Sequence, residues 1–372
     1  MAGIYLHIPF CRQACHYCNF HFSTSLTRKN DFISALLKEI AARKDYLEGA
    51  TVETVYFGGG TPSLLATEEI DHLLQTLRAN FSLAPGAEIT LEANPDDVTP
   101  ARLRAWRAAG VNRLSIGVQS FFEEDLRWMN RAHSASQAMD CIRQAREEGF
   151  DNLSIDLIYG GPTLPDSHWR ENVERAVALG IPHLSCYALT VEPRTALDTF
   201  IRRHQVTDVS PEDQARQFLL LMDWMAAAGY EHYEISNFSL PGHRSRHNSA
   251  YWQGKKYLGL GPSAHSYDGV SREWNIANNA KYIAEPGLVA EKEVLTTAQQ
   301  LNEFIMIALR TDEGIDLQLA AERFGAGPAA DLRRRAGKHL QLEHLHWIGE
   351  SLVLTRDGKL LADGIAADLF FE

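Results

Sequence analysis

Residues 4–20 read IYLHIPFCRQACHYCNF, an apolar run (4–10) that ends directly in three cysteines, Cys11, Cys15 and Cys18, spaced C-x3-C-x2-C. The run has the length and composition of a buried strand, which puts the cysteines in the loop at its C-terminal end. Five further runs of this kind follow: VETVYF (52–57), EITLEA (88–93), RLSIGV (113–118), NLSIDLIY (152–159) and HLSCYAL (183–189). Amphipathic stretches such as ATEEIDHLLQTLRANF and SASQAMDCIRQAREEGF lie between them. Thr99-Pro100 opens one helix, and Gly110 and Gly149 close two. Strands alternating with helices predict a parallel sheet with right-handed crossovers.

An open doubly wound sheet and a partial barrel both satisfy that alternation. The unusual residues choose between them. The cysteines, GGGTP (58–62), Glu92, Gln119, Asp156 and Tyr187 all fall at or just past the ends of successive strands. In barrel-type folds that edge carries the site, because each strand delivers its last residues to one mouth. The expected fold is therefore α/β, a partial (β/α)6 TIM-like barrel over residues 1–230. Residues 231–295 read as an irregular connecting region. Residues 296–372 read as a small winged-helix-like α+β domain, a helix–turn–helix followed by a hairpin with a D-G turn.

The chain has 372 residues and a formal net charge of −12, from 36 basic and 48 acidic side chains. Residues 296–372 carry 8 Lys/Arg against 12 Asp/Glu. Phosphate-backbone binding needs a concentrated positive face, so nucleic acid is excluded as the main partner. Residues 1–30 lack a secretory layout, and no stretch reaches the ~20 apolar residues that span a bilayer. The expected location is the cytoplasm. A reducing compartment argues against disulfides, so three clustered thiols point to metal chemistry. Cys141 and Cys186 read as small buried apolar groups.

Three thiolates on one short loop suit either zinc or an iron–sulfur cluster. A closed zinc site wants a fourth ligand, for which His7, His16 and His21 are available. A [4Fe–4S] cluster held at three irons would instead leave its fourth iron open. GGGTP lacks the Lys-Ser/Thr ending of a phosphate-binding loop. Glu92 sits in an apolar run, where a buried unpaired carboxylate is costly.

A C-x3-C-x2-C loop after the first strand of a partial barrel, with the aromatic Tyr17 before the last cysteine, resembles the radical S-adenosylmethionine (SAM) superfamily. The resemblance implies a [4Fe–4S] cluster on Cys11, Cys15 and Cys18, with SAM chelating the open iron. YLHIPFC, GGGTP, RLSIGVQSF, DLIYGGP and the YAL after the sixth strand narrow it to the branch of oxygen-independent coproporphyrinogen III oxidase. On that resemblance Tyr5, Tyr17, Gly60, Thr61, Pro62, Glu92, Gln119, Arg131, Asp156 and Ala188 bind SAM. Arg131 is expected on a helix after strand four, and residues 260–266 close over the cofactor.

Two departures bear on activity. The decarboxylating enzymes have a further cysteine two residues after the third, where this chain has Phe20. They also carry a longer segment before the motif, whereas Cys11 comes early here. Both features are similar to the HemW group, heme chaperones on the same scaffold. Its H-N-x-x-Y-W signature is present at His247, Asn248, Tyr251 and Trp252. A histidine can ligate heme iron, aromatic faces suit a macrocycle, and Arg244, Arg246, Lys255 and Lys256 suit propionates. The alternative is a loop with solvated charges whose aromatics pack into the domain joint. The group implies heme as cargo, apo-hemoprotein recipients including membrane respiratory proteins, and a homodimer.

Overall fold

The computed structural model describes residues 2–372. The six expected strands form in sequence order, each parallel to the one before. They are β1 (Ala2–Ile8), β2 (Val52–Gly59), β3 (Leu83–Ala93), β4 (Arg113–Gln119), β5 (Leu153–Tyr159) and β6 (His183–Ala188). Between them run α1 (Lys29–Ala42), α2 (Thr67–Asn80), α3 (Pro100–Ala109), α4 (Glu123–Trp128), α5 (Ala135–Glu147) and α6 (Asp166–Ala178). After β6 come α7 (Ala196–Arg202) and α8 (Pro211–Ala227). The local signals act as expected at α3: the Thr99 side chain accepts from the Arg102 amide, Pro100 occupies the first turn, and Gly110 ends the helix at φ 106°.

Strand alternation divides each strand between two environments. Ile4, Leu6, Ile8, Val55, Phe57, Leu91, Leu114, Ile116 and Ile155 are buried in the core shared with the helices. The intervening positions are polar and meet one another across the concave face, as in Ser154 with His183 and Tyr56 with Glu92. The inside of this partial barrel is therefore a polar cavity wall and not a second apolar core.

Residues 231–294 are not an irregular connection. They extend the sheet at both edges with β7 (Glu231–Glu234), β8 (Asn237–Ser239), β9 (Lys256–Leu260), β10 (His265–Tyr267), β11 (Ser271–Asn275) and β12 (Val289–Val294). The twelve-stranded order is β12-β11-β10-β9-β1-β2-β3-β4-β5-β6-β8-β7. β9 runs parallel to β1, while β10, β11 and β12 turn back antiparallel. These strands are short, three residues in β8 and β10, and β12 is largely exposed, so they lack the apolar runs that mark β1–β6. Two helices interrupt them, α9 (Arg246–Trp252) and α10 (Asn279–Ala284).

The C-terminal domain has its own core, including Leu301, Ile305, Ile315, Leu332, Leu352 and Ile365. It runs α11 (Thr297–Leu309), β13 (Ile315–Asp316), α12 (Leu317–Phe324), α13 (Ala326–Arg335), α14 (Gly337–Gln341), β14 (Leu345–Ile348), β15 (Ser351–Leu354) and α15 (Ala362–Leu369). The three strands order as β13-β15-β14, a winged-helix arrangement. The hairpin turns at Gly349-Glu350, with Gly349 at φ 59°, and not at the Asp357-Gly358 pair. Arg244 ties this domain to the barrel through Glu231, Asp312 and Glu313, and Arg310 lies over the Trp252 ring. Among the described residues no helix is long and apolar enough to cross a membrane.

Candidate functional site

The cysteine loop leaves the C-terminal end of β1 and is pinned on two sides. On one side the Gly60 and Thr61 amides donate to the Ile8 and Phe10 carbonyls at 2.8 and 2.7 Å. A Cβ on Gly60 would lie 2.6 Å from the Phe10 carbonyl oxygen. The glycines of GGGTP thus permit close packing on the root of the loop, and two of its amides are spent there. The Thr61 hydroxyl also donates to Cys11 Sγ at 3.4 Å.

On the other side the loop rests on the turn between α4 and α5. The His16 amide donates to the Met129 carbonyl, Asn130 and Gln13 bond each other's segment, and Arg131 Nη1 donates to Cys15 Sγ at 3.3 Å. Arg131 lies in this turn and not on a helix, because α4 ends at Trp128 and Asn130 takes φ 58°. Its other nitrogen donates to Asn94 Oδ1 and the Gly117 carbonyl, both at 2.8 Å. Tyr17 packs beside Leu126, Met129 and Ile158. All five cysteines are free thiols. Burial pushes the Cys11 thiol up to about 11, so the bare loop favours neutral sulfur and loading must displace protons. No three His, Cys, Asp or Glu side chains among the described residues converge on a single-ion site.

Behind the loop, the strand ends carry the remaining expected residues into one polar interior. Tyr56 Oη donates to Glu92 Oε1 at 2.7 Å. Desolvation inside the barrel, with Asp156 adding like charge, lifts the Glu92 carboxyl to about 8. Asp156 is pushed up to about 6, again first by desolvation, although Ser185 and Ser115 donate to it. Arg113 stands near both carboxylates yet its buried Nε has no partner, and Thr90 Oγ1 and Arg131 Nε are likewise unpartnered. Gln119 is buried and takes φ 69° at an irregularity between β4 and β5. A non-glycine residue held in the left-handed region at a strand end is stored strain of the kind found at functional sites. Ala188 ends β6 beside Tyr187, which is 42% exposed. Unpartnered donors beside carboxyls whose ionisation burial disfavours fit a ligand with both cationic and anionic groups, as SAM is.

The HNxxYW group lies elsewhere. It forms α9, which closes the opposite, N-terminal end of the barrel, where the Arg246 and His247 amides donate to the Glu88 carboxylate. His247 is 2% exposed. Its Nδ1 is 2.8 Å from Thr54 Oγ1 and its Nε2 is 3.0 Å from Tyr251 Oη, so both ring nitrogens are engaged. The ring stacks on Tyr56 at 4.9 Å, and burial holds it neutral, down to about 3. The adjacent cavity, lined by Arg244, Arg246, Lys255 and Thr54 among others, is about 140 Å³, against ~300 Å³ and more for ordinary ligand pockets. Of its cations, Arg244 is already paired and Lys255 faces Glu53. Asn248 is half-buried, and Trp252 packs at the domain joint under Arg310. The structure thus separates this group from the cysteine loop by the depth of the barrel.

Tyr56, Asn94 and Arg113 are site residues that the sequence reading missed. A signal existed: Thr54 and Tyr56, Glu88, Thr90 and Glu92, and Arg113 and Ser115 alternate with apolar residues at period two.

Comparison with known proteins agrees with this architecture. Residues 5–176 match the Radical SAM superfamily and residues 295–361 the HemN C-terminal domain. The chain is 38% identical to "Heme chaperone HemW" of Mycobacterium tuberculosis, over 99% of this chain and 94% of that one. It is 33% identical to the protein of the same name from Bacillus subtilis, over 98% of each. The structure of coproporphyrinogen III oxidase (HemN) from Escherichia coli superposes with a TM-score of 0.85 at 24% identity, covering 99% of this chain and 90% of that one, a likeness of fold. The cysteine loop, the strand-end set and these full-length likenesses place the chain in the HemW family of the radical SAM superfamily.

Proposed function

We propose that this chain is a cytoplasmic heme chaperone that holds a [4Fe–4S] cluster on Cys11, Cys15 and Cys18, binds SAM, and passes heme to apo-hemoproteins. The observation that carries the reading is the cysteine loop itself. Three thiols are seated between GGGTP and the α4–α5 turn, and Phe20, 67% exposed, stands where the decarboxylase pattern would have a thiol. The names of the full-length relatives support the heme role.

A [4Fe–4S] cluster held by Cys11, Cys15 and Cys18 would supply one-electron reducing chemistry to SAM bound beside it. The residues of this chain arrange the ground for that chemistry. Arg131 holds Cys15 and Asn94 together, Thr61 orients Cys11, and Tyr56 fixes Glu92. Tyr5, Tyr17, Gly60, Thr61, Pro62, Glu92, Gln119, Arg131, Asp156 and Ala188 form the proposed SAM cradle. Heme contact by His247, Asn248, Tyr251 or Trp252 would require α9 to leave the barrel floor, since the His247 nitrogens are already bonded.

Anaerobic reconstitution followed by titration of heme, with and without SAM, tests the reading. Stable heme uptake and its transfer to an apo-hemoprotein are expected. Oxidation of coproporphyrinogen III to protoporphyrinogen under reductant and SAM would sink the chaperone reading in favour of a decarboxylase. Cys15→Ser is expected to abolish the cluster, read as loss of iron, sulfide and visible absorbance.

A further inference from the structure

Resting on that heme-binding reading, we propose that the outer face of α9 carries a carboxylate subsite, in which Arg246 and Lys255 hold one propionate of heme.

α9 has two faces. His247 and Tyr251, four residues apart, face the barrel, where the His247 ring is sealed. Arg246, Ser249, Ala250 and Gln253 recur at helical spacing on the other side. They line the cavity of about 140 Å³ that lies between α9 and the starts of β1 and β2. Its base is buried and formed by Ala2 and Thr54, while Arg246 and Gln253 are exposed at its rim. A space of this size takes a carboxylate arm and excludes a macrocycle, which must stay outside on the helix.

Of the four flanking cations, two are free to serve. Arg244 reaches the cavity, but its charge is engaged by Glu231, Asp312 and Glu313. Lys256 does not line it and pairs with Glu48 at 2.7 Å. Arg246 makes no ion pair among the described residues: Nη1 donates to the Gly86 carbonyl at 2.9 Å, and the rest of its guanidinium has no acceptor. Lys255 Nζ stands 3.6 Å from Glu53 Oε2, beyond hydrogen-bond reach. The Ser249 hydroxyl and the Gln253 side-chain amide also line the cavity and have no partner among the described residues. A carboxylate entering here gains a guanidinium, an ammonium and two neutral donors, opposed by Glu53 alone. Thr54 ties the subsite to the H-N-x-x-Y-W signature, since its Oγ1 at the cavity base lies 2.8 Å from His247 Nδ1. One side chain thus separates the cavity from the signature histidine, so an arm docked here and a metal centre held at α9 belong to one ligand.

The test uses the full chain, reconstituted anaerobically and titrated in parallel with heme and with its dimethyl ester, in which both propionates are uncharged. The ester is expected to bind about tenfold or more weakly. Raising ionic strength should weaken heme binding and leave ester binding nearly unchanged. The double variant Arg246→Gln, Lys255→Gln should bind heme as weakly as ester, with its iron and sulfide content equal to the unmodified chain's. Arg246→Lys with Lys255→Arg should keep the preference for heme. Glu53→Gln removes the opposing carboxylate and should tighten heme binding severalfold without moving ester binding. Equal affinity of the unmodified chain for heme and ester, or a preference for heme that survives in the Gln double variant, overturns the assignment. Uptake of neither compound by the unmodified chain overturns the heme-binding reading itself, and the assignment with it.

Discussion

Glu92 and Asp156 show what a single side chain contributes inside this barrel. Both carboxyls are pushed up, to about 8 and about 6, first by desolvation. A raised folded value means that folding favours the protonated acid. For Glu92 that margin is complete below its ordinary value of 4.5 and is lost as the pH rises through about 8. A cation beside these groups stabilises the ionised forms, so SAM binding should release protons between pH 6 and 8. Affinity should rise by up to about tenfold per pH unit for one proton released. Titration calorimetry in buffers of different ionisation enthalpy checks this, and Glu92→Gln should remove the upper part of the dependence. Most of the mouth was legible residue by residue, because a lone polar group ending an apolar strand is conspicuous. The setting of His247 was not. That its ring is sealed depends on pairing between β1 and β9, some 250 residues later, and no local pattern carries that.

At the scale of elements, α1 does more than cover the sheet. Its buried Glu39 accepts from the Gly261 amide at 2.8 Å, from Asn275 Nδ2 at 2.6 Å and from Tyr282 Oη at 2.5 Å. One carboxylate therefore holds the end of β9, the end of β11 and α10 together. Glu39→Ala leaves three buried donors without partners and is expected to lower stability by about 3 kcal/mol. Denaturant unfolding reads the loss, and hydrogen exchange over residues 261–275 should rise more than exchange in β3–β5. Glu39→Gln should be milder, since it keeps one acceptor. The alternation that named β1–β6 was strong because parallel strands buried on the helix side are apolar at every second position. β8 and β10, three residues each, fall below the length at which a period can be counted. The turn of the C-terminal hairpin was misplaced because Asp357-Gly358 has the better turn composition, while Gly358 is needed for its close approach to the His344 carbonyl.

Across the whole molecule, the two cores meet at a joint made chiefly of charge. Arg244 engages three carboxylates, Arg272 pairs with Glu303 at 2.9 Å, and Arg356 pairs with Asp223 at 2.8 Å. Partly exposed pairs are screened by salt, so Arg244→Glu should open the joint to limited proteolysis near residues 231–244 and 310–313. The effect should grow with ionic strength in the unmodified chain as well. The barrel itself has a different dependence. β1 is flanked by β2 on one side and by β9 on the other. The wall that includes β9–β12 does not exist until residue 294 has been synthesised. At ~5–20 residues per second, the cysteine loop of a nascent chain stands open on that side for on the order of ten seconds or more. Pairings so distant in sequence are also slow to close. Cluster delivery during translation would therefore meet an accessible loop, whereas delivery to the finished protein must pass the rim that β9–β12 complete.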